Sequence, residues 1–285
     1  FSNGKRLFGD EALMQISSET TLSFLFAMLG KSLAEIRALP WSQFIRLPLE
    51  EDEKGRVCVR LSERQHGLEI PSLSGDLLFP LPALAAMYLA DLHRQLSSGL
   101  APGETLHYVF TRPLRSAQES EALRAALAIA DILPAHRVSV SGPAASLAAA
   151  YWRKTSGLAG AGEGRNVLLV DVGMCVGTAV LLRTPPAQNN NSNINNNNNN
   201  STEPEILGQG TSELVGSVLL DCALFQSLAP ALGLQPTSTN PNSNPNPNTS
   251  PSTSSNTSSN GKRGWRLLQG CEKLKKLLST LQDAR

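Results

Sequence analysis

The chain has 285 residues, 41% of them hydrophobic, which is enough to bury one core with room for a second. With 25 Lys and Arg against 24 Asp and Glu, and the basic residues spread rather than clustered, it lacks the electrostatic footprint of a nucleic-acid binder. The most apolar helical run, Leu22–Leu29, falls far short of the ~20 residues that a membrane span requires, and it stops at Gly30-Lys31.

In chain order, Phe8-Gly9-Asp10-Glu11-Ala12 begins a helix, and Thr21–Leu29 reads as a second that Gly30 ends in a left-handed conformation. Residues 41–75 alternate apolar and charged positions, as in Arg56-Val57-Cys58-Val59-Arg60-Leu61, which predicts a small exposed antiparallel sheet. Pro82 opens an amphipathic helix through about Leu96. Leu106–Phe110 is a short strand. The capping box Ser116-Ala117-Gln118-Glu119 then starts a helix predicted to run to Leu133 and stop at Pro134.

A strand over Arg137–Ser141 follows, then a Gly142-Pro143 break and a helix through Trp152. Asn166–Asp171 reads as a buried strand and Thr178–Leu182 as its partner, joined by Gly173-Met174-Cys175-Val176-Gly177. Glu205–Leu232 is a second α/β segment, and Trp265–Leu281 a charged helix. The order β-α-β-α-β-β is that of an α/β protein. Two stretches break it: residues 189–202 are nearly pure Asn and Ser, and residues 236–260 are Asn, Pro, Ser and Thr. Both offer too little apolar surface to offset the entropy of ordering, so disordered insertions are expected there. Sequons such as Asn200-Ser201-Thr202 fall within them and are what any Asn/Ser/Thr tract makes by chance.

Cys58, Cys175, Cys222 and Cys271 are far apart and form no C-x-x-C pair, which argues against a zinc site and against a disulfide framework. His66, His93, His107 and His136 are equally scattered and read as surface or cap residues. The first residue is Phe, with no basic-then-apolar leader before it, so the chain is expected to be processed or incomplete.

Two segments carry candidate chemistry. In Val167–Thr178, Asp171 stands at a strand end just before a glycine turn, which places a carboxylate beside backbone amides able to face phosphate oxygens. The alternative is a plain hairpin whose Asp starts a turn. In the last helix, Glu272, Lys275, Lys276 and Ser279 recur at i, i+3, i+4 and i+7, so one face offers an acid, two ammonium groups and a hydroxyl that could hold a ribose and flank a base. The alternative is a solvated face with ordinary Glu-to-Lys pairs.

Taken in order, these pieces resemble the nucleotide-binding domain of the seventy-kilodalton heat-shock chaperones. Asn166–Leu182 is similar to the family's second phosphate loop, Leu106–Arg112 with Ser116–Leu133 to its strand, turn and helix, and Arg137–Tyr151 to the segment ending in an Ala-rich helix. Gly208–Leu220 resembles its Gly-Asp-Thr-x-Leu-Gly-Gly segment, and Phe8–Lys31 its Gly-x-x-Ala helix with the Leu-x-Gly that follows. The likeness is closer to the large branch, the chaperones of one hundred ten kilodaltons and their endoplasmic-reticulum relative of one hundred seventy. Cys271–Ser279 reads like the cytosolic large branch, and Leu7–Ala12 with Met28–Lys31 more like the luminal member.

The resemblance implies an α/β, actin-like (ribonuclease H-like) two-lobed ATPase domain, incomplete at both ends. Residues 1–100 would be a peripheral subdomain of lobe I and 101–187 its core with the phosphate hairpin. Residues 205–235 would form the core of lobe II and 261–285 its adenosine-facing helix, with the Asn-rich insertions at 188–204 and 236–260. It implies ATP or ADP, weakly bound, with magnesium near Asp171, phosphates at Gly173 and Gly177, Gly216 also among the nucleotide-binding residues, and adenosine among Glu272, Lys275, Lys276 and Ser279. It also implies a seventy-kilodalton chaperone partner, unfolded clients reached through segments outside this chain, no nucleic-acid partner, and the endoplasmic-reticulum lumen, or alternatively the cytoplasm. No catalytic residue is expected. Phe26 stands where the family has a catalytic Lys, Gly142 where it has a Glu, and Met174, Cys175 and Val176 replace its Gly-Gly-Thr. The resemblance therefore implies nucleotide exchange or client holding with little hydrolysis, against the alternative of an ordinary chaperone ATPase.

Overall fold

The computed structural model describes residues 6–14, 21–45, 47–63, 75–101, 104–111, 116–132, 138–155, 165–185, 204–234 and 266–277. The Asn-rich stretches lie outside these but for Pro204, as do His66, His136 and Ser279. The chain divides into two compact units. One comprises residues 1–104, 116–132 and 218–285; the other comprises residues 105–115 and 133–217. This division cuts across the 101–187 and 205–235 segments drawn from sequence.

The first unit begins with short helices α1 (Gly9–Met14), α2 (Leu25–Met28) and α3 (Leu33–Ala38), then a 3-10 turn over Pro40–Phe44. The helix expected over Thr21–Leu29 is only one turn long, because Phe24 sits at φ 62, outside helical geometry, with its ring against Trp41 at 4.7 Å. The helix already ends at Leu29, whose backbone is extended, and Gly30 follows in the left-handed region at φ 81, where a Cβ would lie 2.5 Å from Glu119 Cα. Ser32 and Glu35 form a reciprocal capping box at the start of α3, with Glu35 Oε2 accepting from the Ser32 amide at 2.7 Å.

Strands β1 (Leu49–Glu51), β2 (Val57–Leu61) and β3 (Leu77–Pro80) form the antiparallel sheet that the alternation over 41–75 predicts. That sheet is not exposed: Val57, Cys58, Val59 and Leu61 of the central strand are all buried, because both faces of β2 are covered. Helix α4 (Leu81–Ser97) follows at once, with Pro in its first turn, and buries Leu81, Leu84, Ala85, Ala86 and Leu89. It packs on α5 (Ala117–Ile129), whose Leu123, Ala126 and Leu127 are buried.

At the start of α5, Ser116 Oγ accepts from the Glu119 amide as the sequence predicts. The Glu119 carboxylate accepts from Lys31 Nζ at 3.1 Å, a pair with side chains only 10% and 5% exposed. Helix α5 stops at Ile129, short of the predicted Leu133. Asp131 turns left-handed at φ 56, the Ile132 amide bonds back to Leu127 O and the Asp131 amide to Ala128 O, which closes the orphan carbonyls. Two further helices complete this unit: α7 (Ser217–Leu228, from Val218 onward) and α8 over residues 266–277. Phe225 of α7 meets Phe44 edge-on at 5.2 Å.

In the second unit, β4 (Tyr108–Phe110) and β5 (Val138–Val140) pair in parallel, and α6 (Pro143–Thr155) starts at the predicted Gly142-Pro143 break. Strands β6 (Asn166–Val172), β7 (Gly177–Arg183) and β8 (Glu205–Ser212) form an antiparallel sheet with β7 central. Ala144 and Ala148 of α6 pack on Val180 and Leu182, with Leu147, Tyr151 and Leu169 around them. The small alanines let the helix lie close to the sheet. Strand β6, expected to be buried, is an edge: Leu168, Val170 and Val172 are 64%, 63% and 55% exposed, since α6 covers only the face carrying Leu169. Among the described residues no helix is long and apolar enough to cross a membrane.

Candidate functional site

The β6–β7 turn owes its shape to backbone rather than side chains. The Gly173 amide donates to Val176 O at 3.0 Å, and Gly173 O accepts from the Ser217 amide at 2.9 Å. A Cβ on Gly216 would lie 2.6 Å from Met174 O, and one on Gly177 would lie 2.6 Å from Val215 Cγ1. A Cβ on Gly173 would lie 2.9 Å from Val176 O. The turn and the 213–217 connection are thus pressed together where a side chain would hold them apart. Gly173, Gly177 and Gly216, chosen from sequence, are brought to one place; Val215 and Ser217, which complete it, were not chosen. Among the described residues, no hydrogen bond engages the amides of Met174, Cys175 and Val176. Unpartnered turn amides are donors that an anion can use.

Asp171 is exposed on β6, two residues before Gly173, opposite the buried Thr178. Met174 is 58% exposed. Cys175 is half-buried, and burial first and then the Glu213 charge push its thiol up to about 11, so it is protonated at neutral pH. Among the described residues no three His, Cys, Asp or Glu groups are arranged to hold a metal ion. A lone carboxylate fits magnesium only in its nucleotide-bound mode, where phosphate oxygens and water supply the remaining ligands.

The α8 face lies in the other unit. Lys275 Nζ donates to Asp221 Oδ2 of α7 at 2.7 Å, and Lys276 Nζ to Glu272 Oε1 at 2.7 Å. The first pair is mostly buried, with side chains 19% and 9% exposed; the second is open to solvent. The hydrogen bond to Glu272 raises the Lys276 pKa. Glu272, Lys275 and Lys276 do share one helix face, but both ammonium groups are already matched by acids. Asp221 was missed by sequence reasoning, although a single acid inside Val218-Leu219-Leu220-Asp221-Cys222 is the signal that would have found it.

Phe26 packs its ring edge-on against Tyr88 at 5.6 Å, and Phe8 meets the same tyrosine at 6.0 Å. The position is part of an aromatic cluster. Gly142 offers only its carbonyl, which Ser146 approaches through both its amide and its hydroxyl. His107 Nε2 lies 3.2 Å from Ser139 Oγ, an exposed contact. No protein-family model matches this chain, and no curated protein matches it either.

Proposed function

We propose that the chain is an ATP-binding fragment of a large-branch heat-shock chaperone, with the actin-like two-lobed architecture, and that it serves protein folding as a nucleotide-exchange factor or holdase with little hydrolysis of its own. The observation that supports this best is the turn at 173–176, where close packing enforced by glycine leaves three successive amides without a partner among the described residues. Those amides would hold phosphates, Asp171 would hold magnesium through its waters, and Glu272, Lys275, Lys276 and Ser279 would hold adenosine. Bound nucleotide supplies a triphosphate whose terminal bond can be broken only if charge and a water are placed on it. Phe26, turned into an aromatic cluster, and Gly142, with no side chain, supply neither. The partners that follow are a seventy-kilodalton chaperone and unfolded clients, in the endoplasmic-reticulum lumen.

Titration calorimetry with magnesium and ADP on the 285-residue chain tests this reading. We expect a Kd of roughly 100 μM, a binding free energy between those of millimolar and micromolar ligands. Glu272→Ala or Lys275→Ala should weaken binding more than Asp171→Ala does. No heat at millimolar ADP would overturn the assignment, and the reverse order of variants would mean that the phosphate side dominates.

A further inference from the structure

The apolar face of α7 is interrupted by one charge. Its buried residues are Val218, Asp221, Cys222 and Phe225, and the Asp221 side chain is only 9% exposed. Oδ2 accepts from Lys275 of α8, while Oδ1 is enclosed and has no donor among the described residues. Cys271, one helical turn before Lys275, is also buried beside this carboxylate. An ion pair enclosed in this way seldom stabilises a fold more than apolar residues of the same volume would, and the orphan oxygen adds to its cost. Its unambiguous effect is geometric. It fixes where Lys275 leaves α8, and with it the spacing to Glu272 one turn earlier and Lys276 beside it.

Charge makes the same point. On that face Asp221 offsets Lys275 and Glu272 offsets Lys276, so it offers fixed hydrogen-bonding groups rather than a positive field. Such a surface suits the uncharged nucleoside part of a nucleotide better than its phosphates. We infer that Asp221 is the positioning residue of the α8 face, holding Lys275 in the one orientation from which a nucleoside is bound. The inference rests on the nucleotide-binding reading above.

ADP affinity and the urea midpoint should be measured for Asp221→Leu, Lys275→Ala and the double variant in the full chain. Asp221→Leu, which takes away the acid that matches Lys275, should lower the midpoint and weaken ADP about tenfold, whereas the double variant should regain the midpoint and bind no more weakly than Lys275→Ala alone. Asp221→Glu should recover part of the affinity. If Asp221→Leu does not fold, Asp221→Asn, which keeps the shape and removes the charge, carries the same comparison. Normal ADP binding by the Asp221 variants alongside weakened binding by Lys275→Ala would overturn the positioning role and leave the nucleotide reading intact. An unsubstituted chain that binds no ADP would overturn both.

Discussion

At the scale of single residues, glycine and cysteine in the β6–β7 turn give the sharpest expectations. A methyl group at Gly216 must displace the Met174 carbonyl, which is backbone and cannot swing aside. Gly216→Ala should therefore cost about 2 kcal/mol, in the range for overpacked sites, measured as a fall in the urea midpoint. Gly208, whose added Cβ meets nothing within 4 Å, is the control. Cys175 gives a pH signature. Its folded pKa of about 11 lies above that of an ordinary thiol, so the folded state holds the thiol proton more tightly. The resulting stabilisation is complete below pH 9 and is lost as pH rises towards 11. In a variant keeping only Cys175, iodoacetamide alkylation at pH 8 should run at least about tenfold slower in the folded chain than in urea. Equal rates would show an open, ordinary thiol.

At the scale of elements, β6 and β7 have opposite requirements although both read as apolar strands. Val170 faces solvent on an edge, so Val170→Lys should change stability by no more than about 0.5 kcal/mol and should reduce association through the strand edge. Leu182, fully buried against α6, should cost roughly 3 kcal/mol as Leu182→Ala. Urea unfolding of the two variants distinguishes this arrangement from the buried β6 that the sequence suggests, for which both would be costly. The run Val167-Leu168-Leu169-Val170 is apolar at every position, so periodicity alone cannot say whether one face or two are covered. The same ambiguity concealed the burial of β2, where charges at Arg56 and Arg60 suggested an exposed sheet. The Arg60 guanidinium reaches out to the Glu50 carboxylate while Val57, Cys58, Val59 and Leu61 go inward.

At the scale of the whole molecule, the chain builds two units from interleaved stretches. The glycine turn belongs with α6 and the β6–β8 sheet; the Glu272–Lys276 face belongs with α7. Catalysis is where the functional reading is most exposed to test at this scale. Single-turnover assays with ATP and magnesium should show negligible hydrolysis, and Phe26→Lys should leave it negligible, since the missing carboxylate at Gly142 is not restored. Brisk turnover by the unsubstituted chain would favour an ordinary chaperone ATPase.

Much of the local structure was legible in the order of residues. Pro82 and Pro143 mark helix starts, Gly30 a left-handed position, Ser116 an N-cap, and Gly173 and Gly177 a tight connection, because each acts through its own backbone or its nearest neighbours along the chain. The three-dimensional fold alone decided that Phe24 leaves the helix to lie on Trp41, that Glu119 meets Lys31 across 88 residues, and that Asp221 takes Lys275 across 54. Those outcomes depend on which surfaces come together far along the chain, and a residue's local pattern carries no record of its distant partner.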